Sequence, residues 1–181
     1  IYAFQNCYNL KSATFPGNVS LIDSYAFYNC ISLKDFVIPG NVSSIGYRSF
    51  ENCNNLTSII IPKNVKSIDG EAFSSCISLE SATIHGDIIE MDSNVFKDCI
   101  NLVSVLIDGN VSSIGSSMFA NCISLFSVDI LGNISIFEPE CFANCKSLQV
   151  ISIPDNIQRI ERSSFLSCLS LPSIVIPEKI T

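Results

Sequence analysis

Leu56-Thr57-Ser58-Ile59-Ile60-Ile61-Pro62-Lys63-Asn64-Val65-Lys66-Ser67-Ile68-Asp69-Gly70-Glu71-Ala72-Phe73-Ser74-Ser75-Cys76 decides the fold. Ile59 and Ile61 alternate with Ser58 and Ile60, the period of two expected of a strand. Pro62 then ends the strand because it has no N–H to give to a ladder. Val65 and Ile68 are spaced to point inward from a second short extended segment. Asp69 stands where a helical turn would want an N-cap, and Glu71 to Cys76 can make about one turn of helix with Ala72, Phe73 and Cys76 inward.

Working outward, the same pattern recurs along the chain. Cysteines stand at 7, 30, 53, 76, 99, 122, 145 and 168, phenylalanines at 4, 27, 50, 73, 96, 119, 142 and 165, and leucines at 10, 33, 56, 79, 102, 125, 148 and 171. In each column successive residues are 23 apart. A unit this short buries its Leu, Ile, Val, Ala, Phe and Cys only by stacking on its neighbours, which is the logic of a solenoid. Residues 1–181 therefore read as a single leucine-rich-repeat solenoid of about eight coils. The expected class is an α/β repeat solenoid, with a parallel β-sheet on the concave side and short strands and single helical turns elsewhere. Gly17, Gly40, Gly86, Gly109 and Gly132 follow the first strand, and Pro-Gly there suggests a type II turn with positive φ at the glycine. The chain opens at Ile1-Tyr2-Ala3-Phe4, inside a unit, so a piece of a longer protein is expected.

The pattern L-x-x-I-x-I-P-x-x-V-x-x-I-x-x-x-A-F-x-x-C closely resembles the BspA-like leucine-rich repeat, from Ala3 to Ile176-Pro177. Some units depart from it. His85, Asp108 and Leu131 replace the Pro, Met91 and Phe137 replace the inward Ile, and Cys141 replaces the Ala before Phe142. The resemblance implies a cell-surface or secreted protein, as many relatives in bacteria and parasitic protists are, with a role in adhesion or partner binding. A cytoplasmic location stays open. It does not imply any catalytic activity, and no cofactor is expected.

Composition narrows the partners. A formal net charge of −7, with only 15% charged residues, argues against nucleic acid, which needs a basic face. Asp69, Glu71, Glu80, Asp87, Glu90, Asp92, Asp98 and Asp108 face only Lys97 over one stretch, a solvated surface or a lure for a basic partner. No run of 18 apolar residues is present.

Eight of the nine cysteines form one column, so buried free thiols are expected, with neither metal nor disulfide. His85, the only histidine, occupies a turn position, and no phosphate-binding or nucleophile motif accompanies it. No enzyme is expected. The sequons at Asn18, Asn41, Asn55, Asn110 and Asn133 are glycosylation candidates if a eukaryote secretes the protein. An Asn column at 18, 41, 64, 110, 133 and 156 also suits backbone capping in successive coils.

The expected partner-binding surface is the outward column of the concave sheet: Thr14, Val37, Ile60, Thr83, Leu106, Asp129, Ser152 and Val175, above a mostly small column at Ser12, Asp35, Ser58, Ser81, Ser104, Ser127, Val150 and Ser173. Exposed Val37, Ile60 and Leu106 add apolar area that an isolated monomer does not need. The alternative is a self-assembling scaffold, a homo-oligomer joined through uncapped ends at Phe4, Leu10 and Phe15 and at Phe165, Leu171, Ile174 and Ile176.

Overall fold

Ile59 and Ile61 are buried and Ser58 and Ile60 face outward in the computed structural model, so the alternation read above is realised as a strand. The structure describes residues 1–15, 17–177 and 180. Each coil contributes two strands. The first set is β1 (Ser12–Ala13), β3 (Asp35–Phe36), β5 (Ser58–Ile61), β7 (Ser81–His85), β9 (Ser104–Asp108), β11 (Ser127–Ile130) and β13 (Val150–Ile151). The second is β2 (Leu21–Ile22), β4 (Ser44–Ile45), β6 (Ser67–Ile68), β8 (Glu90–Met91), β10 (Val111–Ile114), β12 (Ile134–Phe137) and β14 (Arg159–Ile160).

All pairings are parallel and join residues one repeat apart, such as Ile60 with Thr83 and Thr83 with Leu106. β5, β7, β9, β11 and β13 form one five-stranded sheet, called the front sheet below, and β1 pairs with β3 beside it. The back carries β2–β4–β6–β8 and β10–β12–β14, linked by the bridge of Ile88 to Val111.

Between the sheets lies one apolar cluster. Its spine is the Phe column, whose rings from Phe4 to Phe165 stack on one another at 5.0–5.6 Å and within 11° of parallel. Phe27, Phe50, Phe73, Phe96, Phe119 and Phe142 are fully buried. Burial of each large apolar side chain contributes roughly 1.5–3 kcal/mol before chain entropy is subtracted.

The α/β expectation, with its helical turns, is not met. Among the described residues there is no helix, and the leucine-rich-repeat solenoid is all β and turns. The reason lies in the backbone of the Phe-x-x-Cys side. Glu71 (φ 58°) and Ser75 (φ 57°) are left-handed, and the pair of equivalent positions is left-handed in every coil from Tyr2 and Asn6 to Ser163 and Ser167. A left-handed residue at every fourth position cannot propagate a right-handed helix. The N–H groups consequently divide. Ser74 and Cys76 donate within the coil, to Glu71 and Phe73. Glu71, Phe73 and Ser75 donate along the stack to Ser93, Val95 and Lys97 of the next coil. Hydrogen bonds between coils thus satisfy this side as they do the sheets.

The type II turn expectation also fails in part, since of the eight glycines only Gly86 has positive φ. Where Pro is absent a different corner forms. The strands before His85, Asp108 and Leu131 have four or five residues and those before Pro39 and Pro154 have two, although the strand before Pro62 also has four. Without the Pro an N–H can join the ladder, as at Leu131, which donates to the Ile107 carbonyl at 2.9 Å. There Gly86, Gly109 and Gly132 stack so closely that a Cβ on Gly109 would sit 1.9 Å from the Gly86 carbonyl oxygen.

Candidate front-sheet interface

The outward column is set by the pleat: with Ile59, Ala82, Val105 and Val128 buried, their neighbours Ile60, Thr83, Leu106 and Asp129 must face out. Val37 is 83% and Ile60 60% exposed; Thr83 and Leu106 are half-buried; Thr14, Asp129 and Val175 are exposed. Ser152 lies past the end of β13, and its hydroxyl is taken up by Ile130, accepting from the N–H at 2.6 Å and donating to the carbonyl. The column is therefore open for most of its length and occupied at Ser152.

Two neighbouring columns went unread in the sequence. Val103 and Phe126 stand side by side and exposed just before β9 and β11, joined by the bond from the Phe126 N–H to the Val103 carbonyl at 2.8 Å. Ile77, Ile100 and Ile123, each directly after a column cysteine, form a further exposed row. The signal was present in the recurring Cys-Ile-x-Leu at 30–33, 76–79, 99–102 and 122–125. With half-buried Leu106 and exposed Val150, these residues put large apolar side chains on the solvent side of the middle coils.

The acidic run is dispersed by the winding. Glu71 and Asp98 lie on the turn side, Asp69 and Asp92 at its border with the back sheet, Glu90 on the back sheet and Asp87 at the corner. Only Glu80 and Asp108 reach the front, where Asp129 joins them. Burial, with the Asp92 charge adding to it, raises the Asp69 carboxyl above its ordinary value. His85 Nδ1 lies 3.0 Å from the Asp108 carboxylate across the β7–β9 ladder, both side chains roughly half exposed.

All nine cysteines are unpaired; Cys7 is exposed and Cys168 half-buried, departing from the buried column. Each column thiol from Cys30 to Cys168 donates to the carbonyl of the preceding coil's Phe, at 3.1–3.3 Å. Burial pushes the thiols up, to about 11 at Cys30 and about 12 at Cys76. A protonated, enclosed thiol is a poor nucleophile and a poor metal ligand. Among the described residues no three His, Cys, Asp or Glu converge on one point.

The sequon asparagines are all exposed. Asn41 donates to Asn18 and Asn110 to Asp87, side chain to side chain, and Asn110 Oδ1 accepts the Asn133 N–H, so the column bonds from coil to coil and caps a backbone group at Asn133. A second asparagine column, missed in the sequence, precedes the cysteines: Asn29 donates to Asn6, Asn52 to Asn29 and Asn144 to Asn121. Of the self-association candidates, Phe4 and Phe165 cap opposite ends of the Phe stack, and Leu10, Phe15 and Leu171 are half-buried against the core. Ile174 is half-buried and Ile176 exposed.

A helix long and apolar enough to cross a membrane is absent among the described residues. Residues 1–126 and 81–181 match the family model of the BspA type leucine rich repeat region, in six copies. A leucine-rich repeat protein of Bacteroides ovatus is 28% identical with a TM-score of 0.92; the match covers 99% of this chain and 46% of that one. The chain thus spans about half of that protein's length. The leucine-rich repeat protein of T. pallidum is 26% identical with a TM-score of 0.77, over 90% of this chain and 78% of that one. The pneumococcal vaccine antigen PcpA shares the fold at 20% identity and a TM-score of 0.61, over 84% and 36% of the two chains. Among curated proteins none matches the sequence.

Proposed function

The chain belongs to the BspA-type leucine-rich repeat family, and we propose on that footing that it is a protein-binding module, acting as an adhesin at the cell surface or outside the cell. Its contact surface is the outward side of the front sheet. The observation that carries this reading is the set of exposed apolar side chains Ile100, Val103, Ile123, Phe126 and Val150, with half-buried Leu106, on the middle coils. Large apolar side chains held on a rigid ladder lose little entropy on binding, which favours them as anchors. Repeat solenoids suit extended contact surfaces, because every coil offers the same columns.

The test is binding of the immobilised protein to a defined panel of extracellular proteins, repeated with a Leu106→Ser/Phe126→Ser double variant. Both side chains reach solvent, so the variant should melt within a few degrees of the parent. At least one panel protein should bind, and the variant should bind it at least tenfold more weakly. Equal binding by the variant, or no binding to any panel member, overturns the proposal.

A further inference from the structure

We propose that the partner engages the middle of the front sheet through a cationic amphipathic segment, one that sets arginine or lysine beside large apolar side chains. The inference rests on the binding reading above and specifies its partner. Three carboxylates lie beside the apolar residues of this face. Asp129 pairs in register with Leu106. Asp108 lies two residues beyond Leu106 on β9, the same face of the strand. Glu80 occupies the position before β7 that Val103 and Phe126 hold in the next two coils, and its carbonyl accepts the Val103 N–H at 2.8 Å. All three carboxylate residues are exposed.

No lysine or arginine shares the front of these coils with them. From Ile77 to Leu131 the sequence holds one lysine and no arginine. That lysine, Lys97, sits on the turn side, where its carbonyl accepts from Ser75. The nearest lysines in the front columns, Lys34 and Lys146, belong to coils beyond this stretch. His85 lies at the margin, where Asp108 already faces it. The front of these three coils therefore presents apolar residues beside Glu80, Asp108 and Asp129 with no lysine or arginine among them, Lys146 continuing the Ile100–Ile123 row in the next coil. Such a surface attracts a partner of opposite charge and penalises an acidic one, so the charges select while the apolar residues anchor.

Two fluorescein-labelled synthetic peptides test this. They share their leucine and phenylalanine positions, and carry arginines between them in one case and glutamates in the other. Anisotropy titration at physiological salt should give at least tenfold tighter binding of the arginine peptide. Asp129→Lys should remove most of that preference. Glu90→Lys, on the back sheet, changes net charge equally and should leave it intact. Thermal melting of both variants confirms the fold. Equal binding of the two peptides, or loss of the preference in Glu90→Lys as large as in Asp129→Lys, overturns the inference. Failure of the inference is distinguishable from failure of the binding reading. If Leu106→Ser/Phe126→Ser weakens both peptides alike, the face binds without selecting charge. If that double variant changes neither, the face itself is wrong.

Discussion

The Cys76 thiol donates a 3.2 Å hydrogen bond to the carbonyl of Phe50, one coil back, while the same carbonyl accepts the Cys53 N–H of its own coil at 3.1 Å. The bond makes the cysteine column more than a run of small hydrophobes. Each thiol ties its coil to the one before it. Cys76→Ala should lower stability by about 1–2 kcal/mol, from lost packing and a lost donor. Denaturant unfolding checks this; an unchanged midpoint contradicts it.

Thiol chemistry should follow burial and pH. At neutral pH a thiol titration should find Cys7 reactive and the seven buried cysteines silent, with all nine reacting once the chain is unfolded. The raised thiols set the sign of the alkaline response. The folded state holds its protons after the unfolded chain, titrating near 9.0, has released them. Stability is therefore full below pH 9 and declines as pH rises toward about 11 to 12. A melting temperature that rises across that window refutes the linkage.

Asn52 combines a left-handed backbone, φ 60°, with a side-chain bond to Asn29. Asn52→Ala should cost about 1–3 kcal/mol, because it adds backbone strain to the lost bond. Asn52→Gly loses the bond without the strain and should cost less. Finding glycine the worse substitution in chemical denaturation would exclude backbone conformation as the cause.

Gly109 and Gly40 should respond oppositely to the same change. An added Cβ at Gly109 meets the Gly86 carbonyl, whereas at Gly40 nothing lies within 4 Å. Gly109→Ala should be destabilising by about 3 kcal/mol or more, by overpacking against backbone. Gly40→Ala should be neutral or stabilising by roughly 0.4–1 kcal/mol through the unfolded state. Paired melting curves decide the matter.

Arg48 bridges two coils, contacting Glu71 at 2.8 Å and Glu51 at 3.3 Å, with its guanidinium over the Tyr47 ring. Burial alone would lower its pKa, but the bond to Glu71 and the charges of Glu51 and Glu71 outweigh it and raise it. Arg48→Met should destabilise by about 1–3 kcal/mol, leaving Glu51 in a partly buried site without its cation. Glu51 is already raised by burial against the opposing pull of Arg48. In the variant, the Glu51 carboxyl followed by NMR should titrate at higher pH than in the parent; an unmoved titration counts against the pairing.

Much was legible because a repeat multiplies its signal. The Leu, Phe and Cys columns gave the coil length and the buried side of each strand, and the outward column at Val37, Ile60 and Leu106 followed from alternation alone. The Phe-x-x-Cys side was misread as helix because Glu71-Ala72-Phe73-Ser74-Ser75-Cys76 has inward residues at helical spacing. The same spacing serves a turn with left-handed residues. Only the Asn-Cys pairs at 6–7, 29–30, 52–53, 121–122 and 144–145 hinted at it, since asparagine tolerates that backbone. The companion left-handed column reads Tyr, Tyr, Arg, Glu, Asn, Ser, Glu, Ser, with no residue preference to betray it.

By itself the sequence determined the register: side chains 23 residues apart had to meet, because an apolar stripe on so short a unit can be buried only by its copies. The tertiary structure alone decided which backbone groups bond along the stack, since N–H groups of Glu71, Phe73 and Ser75 find their partners in another coil and no local rule names them. It alone also sorted the charges. Carboxylates adjacent in sequence, from Asp69 to Asp108, are wound to different sides of the coil, whereas Glu80, Asp108 and Asp129 are gathered on one face because the strands that carry them are laid side by side by hydrogen bonds between coils.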